Sequence, residues 1–94
     1  YYFEWDPAKG NVNIQKHKVN FQRTAEVFKD SCAISIFDIK HSHNENRWIT
    51  IGRDFSGRIL VVSHTFRKID MNSCRIRIIS SRKATKKETK QYEG

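Results

Sequence analysis

The sequence predicts an α+β domain over residues 1–94: two N-terminal helices, a four-stranded antiparallel meander and a C-terminal helix. Three observations carry this. Phe21, Ala25 and Phe28 recur at helical spacing, whereas from Cys32 onward short runs rich in β-branched residues alternate with polar loops. The stretch Thr85-Lys86-Lys87-Glu88 then has the form of a capping box. Helices followed by a block of strands, rather than strictly alternating with them, define the class.

Tyr1 to Trp5 reads as a short extended segment. Asp6 can cap exposed N–H groups and Pro7 suits a first helical position, so a helix runs from there to about Lys18. Its apolar side, Ala8 and Val12 with Gln15, is thin, and Gly10 weakens it, so packing must hold it. Asn20 caps a second helix ending near Asp30. The strands are expected at Ala33–Phe37, Arg47–Gly52, Arg58–Arg67 and Cys74–Ser80, with a polar loop at residues 41–46 and turns at Ser56-Gly57 and residues 70–73. The third run is the most apolar and suits a central strand covered on both faces. Alternation in the fourth puts Arg75 and Arg77 on one face. The capping box opens a last helix reaching about Glu93.

With 94 residues, of which 37% are hydrophobic, the chain falls short of two ordinary domains of ~100–150 residues each. A domain this size buries roughly 60–65% of its unfolded surface and leaves little room for an enclosed pocket, which argues against a large cofactor enzyme. No apolar run approaches the ~20 residues of a membrane span, and no charged-then-apolar leader opens the chain. The missing initial Met is expected to reflect residues preceding Tyr1. Cys32 and Cys74 lie in apolar or strand-like runs with no partner motif, and are expected as buried thiols of a cytoplasmic protein.

The formal net charge of +8 is lopsided. Residues 1–47 carry seven Lys/Arg against six Asp/Glu, a net of +1; residues 48–94 carry eleven against four, a net of +7. A basic second half points to a polyanionic partner, nucleic acid or an acidic protein segment.

Specific residues carry a family resemblance. The opening Phe3-Glu4-Trp5-Asp6-Pro7-Ala8-Lys9, Asn13, Lys16-His17, Val19-Asn20-Phe21, Ala25 and Val27-Phe28 resemble the start of the BrnT family. Asp38, His41-Ser42, Glu45-x-Arg47, Gly52, the run Gly57 to Val62, the run Ile76 to Ala84, Glu88 and Tyr92-Glu93 continue the match over essentially the whole chain. The resemblance implies a small ribonuclease toxin of a bacterial type II toxin–antitoxin system with a RelE-like fold. It further implies a BrnA-type antitoxin carrying a ribbon-helix-helix region, and promoter DNA bound and repressed only through the toxin–antitoxin complex. Two departures stand out: Lys18 occupies the place where a Gly commonly follows the Lys-His pair, and the hairpin from Phe66 to Ser73 is longer than usual.

Metal-independent RNA cleavage by attack of the 2′-hydroxyl needs a base, cations around the phosphorane and an acid for the leaving oxygen. The candidates are His17, Glu45, Arg47, His64, Arg77 and Arg82. Each has a structural alternative. His17 suits a helix C-terminus, His64 a hydrogen-bonded core position, and Glu45 with Arg47 a surface ion pair. Arg77 inside a strand is unexpected unless its face meets solvent or an anion, and a guanidinium binds phosphate bidentately. Arg53, Arg58, Arg75, Lys83, Lys86 and Lys87 complete a track of cations expected to hold RNA, although the lysines also suit a solvated helix face. His41, His43 and Glu45 supply too few ligands for a metal site, and no cofactor is expected. Trp5 and Trp48 are able to stack on bases but suit the core. A nucleic-acid-binding module without catalysis, or a basic face that serves only to receive an antitoxin, are the competing readings.

Overall fold

The computed structural model describes every residue from Tyr1 to Gly94. Tyr2–Glu4 form a strand, β1, and Asp6 then starts helix α1 (Pro7–His17) by accepting the Ala8 N–H at 2.9 Å. The helix ends one residue before the expected position because Lys18 turns into the left-handed region (φ 60°) while its N–H bonds Ile14 O at 2.9 Å. That is the conformation a C-terminal glycine normally supplies. Asn20 caps α2 (Phe21–Glu26) through the Arg23 N–H at 2.7 Å. The expected continuation to Asp30 is replaced by a tighter 3-10 turn at Val27–Lys29. There Val27 packs directly on Gly52, where a Cβ would stand 2.6 Å from Val27 Cγ1.

The remaining elements are β2 (Ile34–Phe37), β3 (Arg47–Arg53), β4 (Ile59–Thr65), β5 (Arg67–Lys68), β6 (Cys74–Lys83) and α3 (Lys86–Glu93), with a 3-10 turn at Ile39–His41. Strands β2, β3, β4 and β6 pair antiparallel with their sequence neighbours in this set, as the meander requires. The four-stranded antiparallel expectation is nevertheless corrected: the sheet is mixed and six-stranded, ordered β1-β6-β4-β3-β2, with β1 parallel to β6 and β5 also on β6. The opening segment is too short to signal a strand by period; it becomes one because β6 runs past β4 and offers its N-terminal half as an edge. The third expected strand breaks at Phe66 into β4 and β5, and the fourth extends to Lys83. No helix is long and apolar enough to cross a membrane.

One irregularity decides which face β6 presents. Ser63 pairs with Ser80 but His64 pairs with Ile78, so Ile79 is an extra residue, a β-bulge. Beyond it, Ser81 shares the inner face with Val62; before it, Ile78 and Ile76 do. Without the bulge, Arg77 and Arg75 would continue the inner face of Ser81, because pleating alternates every residue. The bulge turns both arginines outward.

The core lies between that inner face and the helices: Val19, Phe21, Val27, Leu60, Val62, Ile76 and Ile78, with Phe3, Trp5, Ala25 and Phe28 against them. Asn13, buried on α1, secures the free edge of β6. Its amide accepts the Ser81 N–H (3.0 Å) and donates to Ser81 O (2.8 Å) and Val19 O (2.9 Å), standing in for a missing strand. Over the outer face, α3 packs against β3 at one end only, where Ile51 and Val61 are buried. The buried-thiol expectation is corrected too. Cys32 is exposed because it lies in the turn before β2, and Cys74 is half-buried at the first position of β6.

Candidate functional site

The outer face of the sheet is open at the end away from α3. Arg47 on β3 lies opposite Thr65 on β4, and Glu4 on β1 lies beside Arg77 on β6, so these residues line a row across four strands. One step along β6, Arg75 pairs in register with Arg67 of β5. The loop before β3 completes the site. Ser42 donates to Asp38 O at 2.6 Å and accepts the Arg47 N–H at 3.0 Å, and this closure holds Glu45 over the row. A cavity of about 340 Å³ results, lined chiefly by Glu4, Glu45, Thr65, Arg67, Arg75 and Arg77.

Glu45 is the hub. Its Oε1 accepts from Arg77 Nη2 in a short contact and from Arg47 Nη2 at 3.4 Å, while Oε2 makes no bond. Arg75 reaches Glu4 loosely at 3.9 Å, and Arg67 is exposed and has no acidic partner. Three guanidinium groups thus face the cavity with two carboxylates, and Arg47 stands behind with a buried, unpartnered Nε. Such a site suits a phosphodiester, whose oxygens match the guanidinium fork.

Of the sequence candidates, the structure brings Glu45, Arg47, Arg77 and Arg75 together. It places the others elsewhere. His64 is 3% exposed on the inner face: Nδ1–H donates to Thr65 O (3.0 Å), Nε2 accepts from the Thr50 hydroxyl (2.7 Å), and the Phe28 ring stands edge-on at 4.9 Å. Burial pushes its pKa below the usual histidine value and so favours the neutral ring. His17 lies in a groove between α1 and β6, beside Lys16 and Ile79. Arg82 is five residues along β6 from Arg77, about 17 Å of extended chain, and forms a bidentate pair with Glu88 at 2.7 and 2.8 Å. Glu88 also accepts the Thr85 N–H in the capping box of α3, and the hydrogen bonds from Arg82 carry its pKa from 4.5 down to about 2.

Arg53 bonds Gly57 O and lies over the Tyr92 ring at 5.6 Å, and Arg58 bonds Asp54 at 3.0 Å. Burial alone would raise the Asp54 pKa, but bonds from Ser56 and Arg58 hold it low. Lys83, Lys86 and Lys87 are exposed around the start of α3. His41 pairs with Asp38 at 2.8 Å, and His43 is exposed in its loop. Sequence reasoning missed Glu4 and Arg67. Arg67 showed only as one more basic residue, and Glu4 has no signal until β1 is known to run beside β6.

A family model described as "Ribonuclease toxin, BrnT, of type II toxin-antitoxin system" matches residues 5–88. Among solved structures, the chain is similar to the ribonuclease toxin BrnT of Brucella abortus, with a TM-score of 0.63 and 22% identity over 92% of this chain and 100% of that one. At that identity the likeness speaks for the fold. No curated protein sequence matches the chain significantly.

Proposed function

Because the chain belongs to the BrnT family of ribonuclease toxins of type II toxin–antitoxin systems, we propose that the arginine-lined cavity around Glu45 is its RNA-cleaving site. The observation that carries this reading is the Glu45–Arg77 pair. A carboxylate with one free oxygen is held against a guanidinium on an open sheet face, beside two further arginines.

In this reading the scissile phosphate enters between Arg77, Arg75 and Arg67, which stabilise the dianionic phosphorane as it forms. Glu45 Oε2 takes the proton from the 2′-hydroxyl, whose oxygen bonds phosphorus. The bond to the 5′-oxygen breaks and that oxygen takes a proton from solvent. The products are a 2′,3′-cyclic phosphate and a 5′-hydroxyl, and the scheme is metal-independent. Arg47 holds Glu45 in place. His64, with both ring nitrogens engaged on the other face, and Arg82, committed to Glu88, keep the scaffold in shape. The exposed lysines around α3 and the groove at His17 serve longer-range attraction of RNA.

The protein thereby degrades cytoplasmic RNA and inhibits translation until a cognate BrnA-type antitoxin with a ribbon-helix-helix region covers it. The toxin–antitoxin complex then represses its own promoter. Purified, antitoxin-free protein is expected to cleave single-stranded RNA in the presence of EDTA and to leave cyclic phosphate ends. Intact RNA at a large excess of folded protein contradicts the proposal.

A further inference from the structure

The arginine-lined cavity has an apolar neighbour. A second cavity of about 220 Å³ opens at the same end of the sheet but on its inner face, lined by Ser35, Trp48, His64 and Phe66. Phe66, at the break between β4 and β5, borders both cavities and is 44% exposed. Trp48 forms the opposite wall, braced edge-on by Phe37 at 5.3 Å. The back of the cavity is a hydroxyl chain with a defined direction. His64 Nδ1 faces a carbonyl oxygen and must donate, so Nε2 accepts from Thr50. The Thr50 hydroxyl proton is thereby used, and its oxygen accepts from Ser35 at 2.8 Å. Ser35 is left with lone pairs only, so a ligand at the mouth meets an acceptor between two aromatic rings.

We infer that this cavity receives an unstacked nucleobase turned over the rim of the sheet at Phe66 from the phosphate held by Arg77 and Arg75, with Phe66 and Trp48 gripping the ring and Ser35 accepting an N–H from its edge. The inference rests on the RNA-site proposal above. The fit follows from chemistry: single-stranded RNA offers splayed bases, and aromatic side chains stack on any of them. Phe66, the residue common to both cavities, stands at the rim where a strand held on the outer face turns its base towards the inner one.

The test uses uncleavable 2′-deoxy dinucleotides, one intact and one lacking the base next to the phosphate, with the Trp48 indole N–H resonance as reporter (assigned with Trp5→Phe). The intact probe is expected to bind about tenfold more tightly than the abasic one, shifting Trp48 and not Trp5. Phe66→Ala is expected to erase that advantage, so that the intact and abasic probes bind the variant equally. Phe66→Leu, which keeps the apolar volume, carries the comparison if the alanine variant unfolds. Equal affinity of the two probes with Trp48 undisturbed overturns the base site but leaves the phosphate site standing. A Trp48 shift produced by an acidic, apolar peptide and by neither probe assigns the cavity to a protein partner and overturns it as well. Failure of both probes to bind overturns this inference together with the RNA-site proposal.

Discussion

Glu88→Gln isolates the pair that fixes α3 to the sheet. Glu88 receives both Arg82 nitrogens at 2.7 and 2.8 Å and the Thr85 N–H at 2.9 Å, and its pKa of about 2 replaces 4.5 in the unfolded chain. Taken at face value, that depression is worth about 3 kcal/mol at neutral pH. The Arg82 side chain is 42% exposed, however, so solvent screening reduces the contribution to about 1–2 kcal/mol. The sign is fixed by the direction: the stabilisation is complete above pH ~4.5 and is lost as pH falls towards 2. Urea unfolding should therefore show Glu88→Gln less stable than the parent by about 1–2 kcal/mol at pH 7, with the gap closing near pH 2. Each kcal/mol corresponds to about 4–8 °C in Tm for a domain this size. RNA cleavage per folded molecule should not change. Equal stabilities at pH 7, or a gap that persists to pH 2, would refute the reasoning.

Three further outcomes follow from buried or strained groups. His64 binds fewer protons folded than unfolded, so stability should fall as pH drops below about 6.5, and His64→Gln should flatten that slope in urea midpoints between pH 5 and 7. Lys18→Gly should raise stability by about 1 kcal/mol, since glycine adopts φ 60° without the Cβ penalty; a lower Tm would disprove this. Asn13→Ala should cost about 2–4 kcal/mol, because two carbonyls and the Ser81 N–H lose their partner; calorimetry showing less than about 1 kcal/mol would contradict the edge-pairing role.

The legible parts of this fold are those written in local chemistry. Asp6-Pro7, Asn20 and Thr85-x-x-Glu88 each start a helix as their side chains dictate, and the four long strands lie within a few residues of their period-two runs. The unread parts depend on contacts distant in sequence. Tyr2–Glu4 becomes a strand only because β6 passes beside it, more than 70 residues away. The bulge at Ile79 leaves no local mark, yet it turns Arg75 and Arg77 onto the open face. The candidate site divides in the same way. Glu45, Arg47, Arg75 and Arg77 were visible as unusual charges near strands. Arg82 is bound by Glu88 and His64 has both ring nitrogens engaged, contacts that no local pattern in the sequence signals. Charge asymmetry located the cations but not their counter-charges, since Glu4 and Glu45 come from the nearly neutral first half.

The most direct test of the central claim is RNA cleavage with EDTA present, comparing the parent with Arg77→Ala, Glu45→Gln and Arg82→Ala, each first checked for folding. If the cavity around Glu45 is the catalytic site, Arg77→Ala and Glu45→Gln lower kcat by about 100-fold or more, whereas Arg82→Ala loses stability and retains turnover per folded molecule. Parental turnover in folded Arg77→Ala and Glu45→Gln, or a loss confined to Arg82→Ala, would contradict the claim.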